Sequence, residues 1–257
     1  MADTGGSAFS QSDVDNYAAR LATVRERIAA ACRRAGRDPA EVRLLPISKT
    51  VPAPLLRAAY AAGMTALGEN KVQEAKGKWQ AMADLPLSWS IVGHLQTNKA
   101  RDVARFADEF QALDSLRVAE ALDRRLEVED RTLDVFVQVN TSGEESKFGL
   151  SPDEVAAFAR ELPAFSRLKV KGLMTLAIFS ADEARVRRCF RLLRDLRDRL
   201  RAEAPAGLSF EQLSMGMSGD FEIAIEEGAT LVRVGQAIFG PRPTKDADYW
   251  PGAAGIS

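Results

Sequence analysis

The feature that most constrains this chain is an alternation. Short β-rich apolar runs recur along it, each followed by a longer stretch with apolar residues at helical spacing, the pattern of successive βα units on a parallel sheet. The runs that read as strands are Val42–Ser48, Thr65–Gly68, Ser88–Gly93, Glu109–Leu113, Leu133–Asn140, Val170–Leu176, Ser209–Ser214 and Leu231–Gly235. Between them the spacing predicts helices over 53–62, 70–83, 97–106, 115–129, 152–161, 181–203 and 219–227. One more helix precedes the first strand. Tyr17, Leu21, Val24 and Ile28 form its apolar stripe, from Val14 to near Gly36. Eight strands, seven intervening helices and a leading helix fit a single (β/α)8 TIM barrel with an extra N-terminal helix, and 257 residues match the usual size of about 250. The rival is an open doubly wound sheet, which normally opens its first βα turn with G-x-G-x-x-G. That turn has no such fingerprint here, and Gly216-Met217-Ser218-Gly219 comes late. The barrel is assigned to residues 13–257. Residues 1–12, rich in Gly, Ser and Ala and without periodicity, read as a mobile tail.

Local signals support some of these helices. Ser151-Pro152-Asp153-Glu154 offers an N-cap, a proline at the first helical position and acids in the first turn. Val186, Cys189, Phe190, Leu193, Leu196 and Leu200 make a 3.6-period stripe, and eight arginines between Arg185 and Arg201 cover the rest of that helix. Asp195 and Asp198 interrupt the basic face, so a solvated face is the expectation over a polyanion site.

Charge and composition exclude several functions. Lys+Arg number 35 against 36 Asp+Glu, for a net charge of −1, which gives no support for a nucleic-acid or membrane partner. Two cysteines, Cys32 and Cys189, are too few for a disulfide scaffold and fit a reducing cytosol. The N-terminus has no basic and apolar leader, and no run reaches the 18 or so apolar residues of a membrane span; a cytoplasmic protein is expected. With His94 as the single histidine, any metal site that needs two or three histidines, the H-E-x-x-H motif included, is impossible.

In a βα barrel the active site lies at the C-terminal ends of the strands. Those positions here hold Ser48-Lys49-Thr50, Gly68-Glu69-Asn70, Gly93-His94-Leu95-Gln96, Asn140-Thr141-Ser142-Gly143, Ser214-Met215-Gly216-Met217-Ser218 and Arg233-Val234-Gly235. Lys49 follows a buried apolar run, Leu44-Leu45-Pro46-Ile47. A lysine in a partly dry mouth has a lowered pKa and more neutral amine, the requirement for a Schiff base with an aldehyde or ketone. The alternative is a structural lysine closing the barrel top. The last two βα turns, with Ser218-Gly219 and Gly235-Gln236, have the small residues of a phosphate cradle; the alternative is glycines punctuating tight turns. Arg233 sits on an otherwise apolar strand, where its burial is costly without a partner, and a structural ion pair is the plain explanation. His94 reads as a proton carrier or, more ordinarily, as a histidine bonded to loop carbonyls.

These segments, in order from about residue 14 to Arg242, resemble the pyridoxal 5′-phosphate (PLP) homeostasis proteins, the proline-synthetase-co-transcribed group. The resemblance rests on Ser48-Lys49-Thr50, on 68–74 (GENKVQE), 93–99 (GHLQTNK), 138–147 (QVNTSGEESK) and 172–175 (GLMT), and on 213–218 (LSMGMS) and 232–240 (VRVGQAIFG). One departure is Lys71, where the family commonly carries an aromatic. The resemblance implies the barrel of alanine-racemase-like PLP enzymes and a protein that carries or buffers PLP for vitamin B6 homeostasis. It further implies that Lys49 holds PLP as a Schiff base, that Ser218, Gly235 and Gln236 hold the phosphate, that Arg233 faces the pyridine nitrogen and that Asn70 lines the ring. Apo PLP-dependent enzymes would be the recipients.

Two alternatives are open. A racemase of the same barrel type needs two bases, and in alanine-racemase-like enzymes the second is a tyrosine from a domain after the barrel. The chain stops about fifteen residues past the last barrel motif, and its tyrosines, Tyr17, Tyr60 and Tyr249, match no such position. A guanidinium at Arg233 would also discourage pyridine protonation and weaken the ring as an electron sink. A Schiff-base aldolase acting on a phosphorylated sugar would suit Lys49 and the cradle, but aldol chemistry wants further acid–base residues at the mouth.

Overall fold

The computed structural model describes residues 9–241 except 204 and 206. The eight expected strands are present as β1 (Arg43–Pro46), β2 (Ala66–Glu69), β3 (Ser88–Ile91), β4 (Glu109–Leu113), β5 (Leu133–Gln138), β6 (Leu168–Met174), β7 (Gln212–Ser214) and β8 (Leu231–Val234). All pair in parallel, in the order β1-β8-β7-β6-β5-β4-β3-β2. The ring closes where Ile47 bridges Gly68 and the Ser48 N–H donates to the Gly68 carbonyl at 2.9 Å. Glycine eases the closure. A Cβ on Gly68 would lie 2.5 Å from the Ile47 side chain and 3.1 Å from that of Leu45. The chain is therefore a (β/α)8 barrel.

The helices are α1 (Gln11–Arg34), α2 (Ala53–Ala61), α3 (Val72–Ala81), α4 (Ala100–Phe106), α5 (Leu116–Val128), α6 (Val155–Glu161), α7 (Glu183–Glu203), α8 (Phe221–Glu226) and α9 (Gln236–Phe239). The leading helix starts at Gln11, three residues before the apolar stripe, because Ser10 and Asp13 close a capping box; residues 1–8 of the expected tail lie outside the described residues. It buries Tyr17, Leu21, Val24, Ile28, Ala31 and Cys32 and packs on α2, α8 and α9, covering the seam between the first and last βα units.

Two local expectations are corrected. The helix expected from 152 begins at Val155. The Ser151 N–H and hydroxyl donate to the Glu154 carboxylate at 2.9 and 2.7 Å and its carbonyl accepts from the Glu154 N–H at 3.0 Å, so a turn occupies the place of the first helical residues. The arginine-rich face of α7 is not simply solvated. Arg187, Arg191 and Arg194 converge on Glu227, a buried residue at the end of α8, and Arg187 also pairs with Glu226. These pairs dock α7 against α8.

Both cysteines are buried and free. Among the described residues no helix is long and apolar enough to cross a membrane, and no three His, Cys, Asp or Glu residues are grouped to hold a metal ion.

Candidate functional site

The apolar end of β1 carries the chain through Ile47 and buried Ser48 to Lys49, itself buried. Thr50 then turns the chain sharply, at φ +69°, a left-handed conformation uncommon for a β-branched residue. Side chains of β2 and α3 hold this corner. The Ser48 hydroxyl donates to Glu69 at 2.5 Å. The Lys78 ammonium donates to the Ser48 carbonyl, to Glu69 and to Glu74 at 2.8, 2.7 and 2.7 Å, and the Thr50 N–H donates to Glu74 at 2.6 Å. Burial is the main influence on Glu69, pushing its carboxyl up to about 7 against the pull of Lys78. Its second oxygen, Oε2, is buried without a hydrogen-bond partner.

The two last βα turns meet this corner. After β7 the chain enters Gly216 at φ +94°, where a Cβ would lie 2.6 Å from Ala224; only glycine is comfortable there. Asp220 then accepts from the Met217 N–H at 2.6 Å. The Ser218 hydroxyl accepts from the Gly235 N–H at 3.3 Å, tying the two turns together. Gly235 precedes α9, and a Cβ on it would lie 3.2 Å from the Ile47 carbonyl oxygen.

A cavity of about 200 Å3 is lined by Lys49 and Thr50 together with Gly235 and Gln236, and is completed by Tyr17, Ile47, Val51, Pro52, Leu55, Phe239, Gly240 and Pro241. Of the residues expected at the site, Lys49, Gly235 and Gln236 line this cavity and Ser218 adjoins it. Asn70 does not line it. Its carbonyl and side chain pack against Gly93 at the end of β3, leaving no room there for a Cβ. Tyr17 on α1 was legible only as a core residue of the helix stripe, and its ring edge packs on Phe239 with centroids 5.5 Å apart. Tyr249 lies outside the described residues.

Arg233 is buried inside the barrel below the mouth. The ion pair expected for it is replaced by hydrogen bonds to neutral partners. Nη1 donates to the Ser214 hydroxyl at 2.5 Å and Nη2 to the Thr175 carbonyl at 2.7 Å. Ser214 donates onward to Gln111 and Gln111 to Glu109, so a polar chain crosses the barrel interior. Burial draws the guanidinium down to about 10, partly offset by Asp220 and Glu109, and it stays charged at neutral pH. His94 finds Asp114, 3.6 Å from Nδ1, and stacks on Phe148 at 4.1 Å. Lys147 donates to the Ala177 carbonyl at 3.0 Å and pairs with Glu144, joining the loops after β5 and β6.

This fold and site define a class: a (β/α)8 barrel of the alanine-racemase kind, with a buried lysine just past β1 and glycine-opened turns after β7 and β8. The family described as alanine racemase, N-terminal domain, matches residues 19–243. A pyridoxal phosphate homeostasis protein of Aquifex aeolicus is 43% identical over 230 residues, covering 88% of this chain and 99% of the relative. Another from Pseudomonas aeruginosa is 43% identical over 89% of this chain and 97% of its own. Among solved structures, PipY of Synechococcus elongatus PCC7942 with PLP bound has a TM-score of 0.77 and 36% identity, covering 87% of this chain and 100% of that one. The chain belongs to the pyridoxal phosphate homeostasis protein family.

Proposed function

We propose that this protein binds PLP covalently at Lys49 and carries or buffers it for apo-enzymes that require it, without efficient amino-acid turnover. The observation that carries the reading is that a buried lysine and the Gly235-Gln236 turn line one cavity. The names of its relatives and the PLP bound to PipY support the same ligand.

The residues fit a phosphorylated aldehyde. PLP, when bound, supplies an electrophilic carbonyl that condenses reversibly with a primary amine. Lys49 provides the amine, on a stem buried at the end of β1. Ser218, Gly235 and Gln236 provide the phosphate cradle, where the missing Cβ of Gly235 leaves space beside the Ile47 carbonyl for a close backbone approach. Arg233 contributes a buried positive charge below the mouth, which disfavours protonation of a pyridine nitrogen brought near it and so limits carbanion chemistry. Asn70 acts through the packing of the β2 and β3 ends against one another.

A racemase reading has one observation in its favour, the phenol of Tyr17 on the cavity wall. Burial and neighbouring Asp13 raise its pKa, against a smaller pull from Arg20, so at neutral pH the phenol keeps its proton and is a poor base.

Two measurements test the proposal. Borohydride reduction of PLP-loaded protein, followed by peptide mapping, should place the pyridoxyl group on Lys49, and Lys49→Ala should lose the reducible visible chromophore; a label on another lysine refutes the assignment. Incubation with single L- and D-amino acids in deuterated water should give no Cα exchange near the enzyme range of about 1–1000 s⁻¹. Exchange at such rates would restore the racemase, whereas PLP transfer to an apo-enzyme without amino-acid product supports the carrier.

A further inference from the structure

A lysine buried in a protein is costly unless each of its three N–H bonds finds an acceptor. Lys78, on the inner face of α3, meets that condition with Glu69, Glu74 and the carbonyl of Ser48. The third acceptor is the unusual one. Glu74 and Lys78 are four residues apart on one helix, a spacing that ordinarily makes a modest surface pair. Here the pair is turned inward and directs its remaining bonds to another segment's backbone. Glu74 accepts from the Thr50 N–H through the same oxygen that Lys78 contacts. The peptide groups on either side of Lys49 are thus both held by α3, one by its carbonyl and the other by its N–H. Just before them the Ser48 hydroxyl is anchored on Glu69. Thr50 is held at φ +69°, a conformation that persists in a β-branched residue only when its surroundings over-determine it.

We infer that Lys78 and Glu74 are positioning residues for Lys49: by fixing the Ser48 carbonyl and the Thr50 N–H they aim its stem, and so its amine, at the carbonyl of the bound aldehyde. The inference rests on the proposed role of Lys49 and concerns the covalent step alone. A ligand with the same ring and phosphate but no aldehyde has no use for an aimed amine, and its binding depends on the cradle that lines the same cavity. The bond from Lys78 to the Ser48 carbonyl also satisfies the buried ammonium, whereas the bond from the Thr50 N–H to Glu74 adds nothing to that requirement and acts on the Lys49 corner alone.

The experiment compares PLP with 4-deoxypyridoxine 5′-phosphate, which lacks the aldehyde, by equilibrium titration of protein freed of bound PLP. In Glu74→Ala the Thr50 N–H loses its acceptor. PLP should then bind about tenfold more weakly, the effect of one lost hydrogen bond that orients the lysine forming the imine, while the deoxy analogue is held as in the parent. Glu74→Gln keeps an oxygen for Thr50 and Lys78 and should restore PLP binding to the parent level. Lys78→Met should show the same split between the two ligands; if it fails to fold, the two Glu74 variants decide. Equal losses for both ligands, no loss for either, or a glutamine variant as weak as the alanine one would overturn the inference. Borohydride labelling of the parent separates the two readings. A label away from Lys49 refutes the covalent assignment itself, and a label on Lys49 with equal losses refutes only the positioning role.

Discussion

Replacing Glu69 with glutamine removes one titration from the heart of the barrel mouth. The folded protein raises this carboxyl from its ordinary 4.5 to about 7, chiefly because it is buried and despite its bonds to Lys78 and Ser48. The unfolded chain releases the proton near 4.5, so between those two pH values the folded state holds more protons and stability falls as pH rises. Below the unfolded value both states are protonated and the penalty is absent; above the folded value it is complete. A gap from 4.5 to about 7 amounts to about 3 kcal/mol. Oε2, buried with no partner, is the structural source, because an ionised carboxylate leaves that oxygen charged and unsolvated. The assay is urea unfolding of PLP-free parent and Glu69→Gln from about pH 4.5 to 8, the range that brackets the titration. The parent should lose on the order of 3 kcal/mol relative to the variant across that range, with most of the change below about pH 7. Taking the difference between the two proteins cancels the other groups that titrate there, including Asp114 and Asp220, which burial also raises. Parallel profiles, or a parent that gains on the variant as pH rises, would refute the account of Glu69.

Gly235→Val should press on the Ile47 carbonyl, already 3.2 Å from the position of a Cβ, and obstruct the cradle; loss of a charge-assisted hydrogen bond or two should weaken PLP by about ten- to a hundredfold, with pyridoxal, which has no phosphate, much less affected. Equal losses for the two ligands in the same titration would refute a phosphate role for this turn. Glu227→Ala leaves Arg187, Arg191 and Arg194 without their shared buried carboxylate and should cost about 3 kcal/mol in denaturant unfolding, while PLP affinity at the far end of the barrel is retained. The bonds from Arg191 and Arg187 hold the Glu227 carboxyl below its usual range although burial opposes them, so this contribution should be present at neutral pH and fade as the solution is acidified through the carboxylate range. A variant as stable as the parent at neutral pH would refute it.

Much of the molecule can be read from its residues in order. Short apolar runs alternate with stretches of 3.6-residue apolar period, and both signals depend on neighbours a few residues away. That is why the eight strands, the leading helix and the position of Lys49 at the end of β1 were legible without a structure. Gly235 and Gln236 were legible for the same reason, as small or polar residues just past a strand. What the chain does not announce is which distant groups meet when the barrel closes. Glu69 and Lys78 look like ordinary polar residues of a βα unit until α3 folds back and turns them inward against Ser48 and Thr50. Tyr17 belongs to a helix stripe until α1 crosses the seam between the first and last units and lays its ring beside Phe239. The arginines of α7 look solvated until α8 presents Glu227. Even the start of α6 turned on geometry, since a serine that could cap a helix also donates to a glutamate three residues on, and here the donated bonds won. The backbone elements follow from local sequence because their hydrogen bonds and apolar periods are local. The site's polar contacts were decided by tertiary structure, because burying a charge is tolerable only beside a specific partner, and closing the barrel is what brings the partners together.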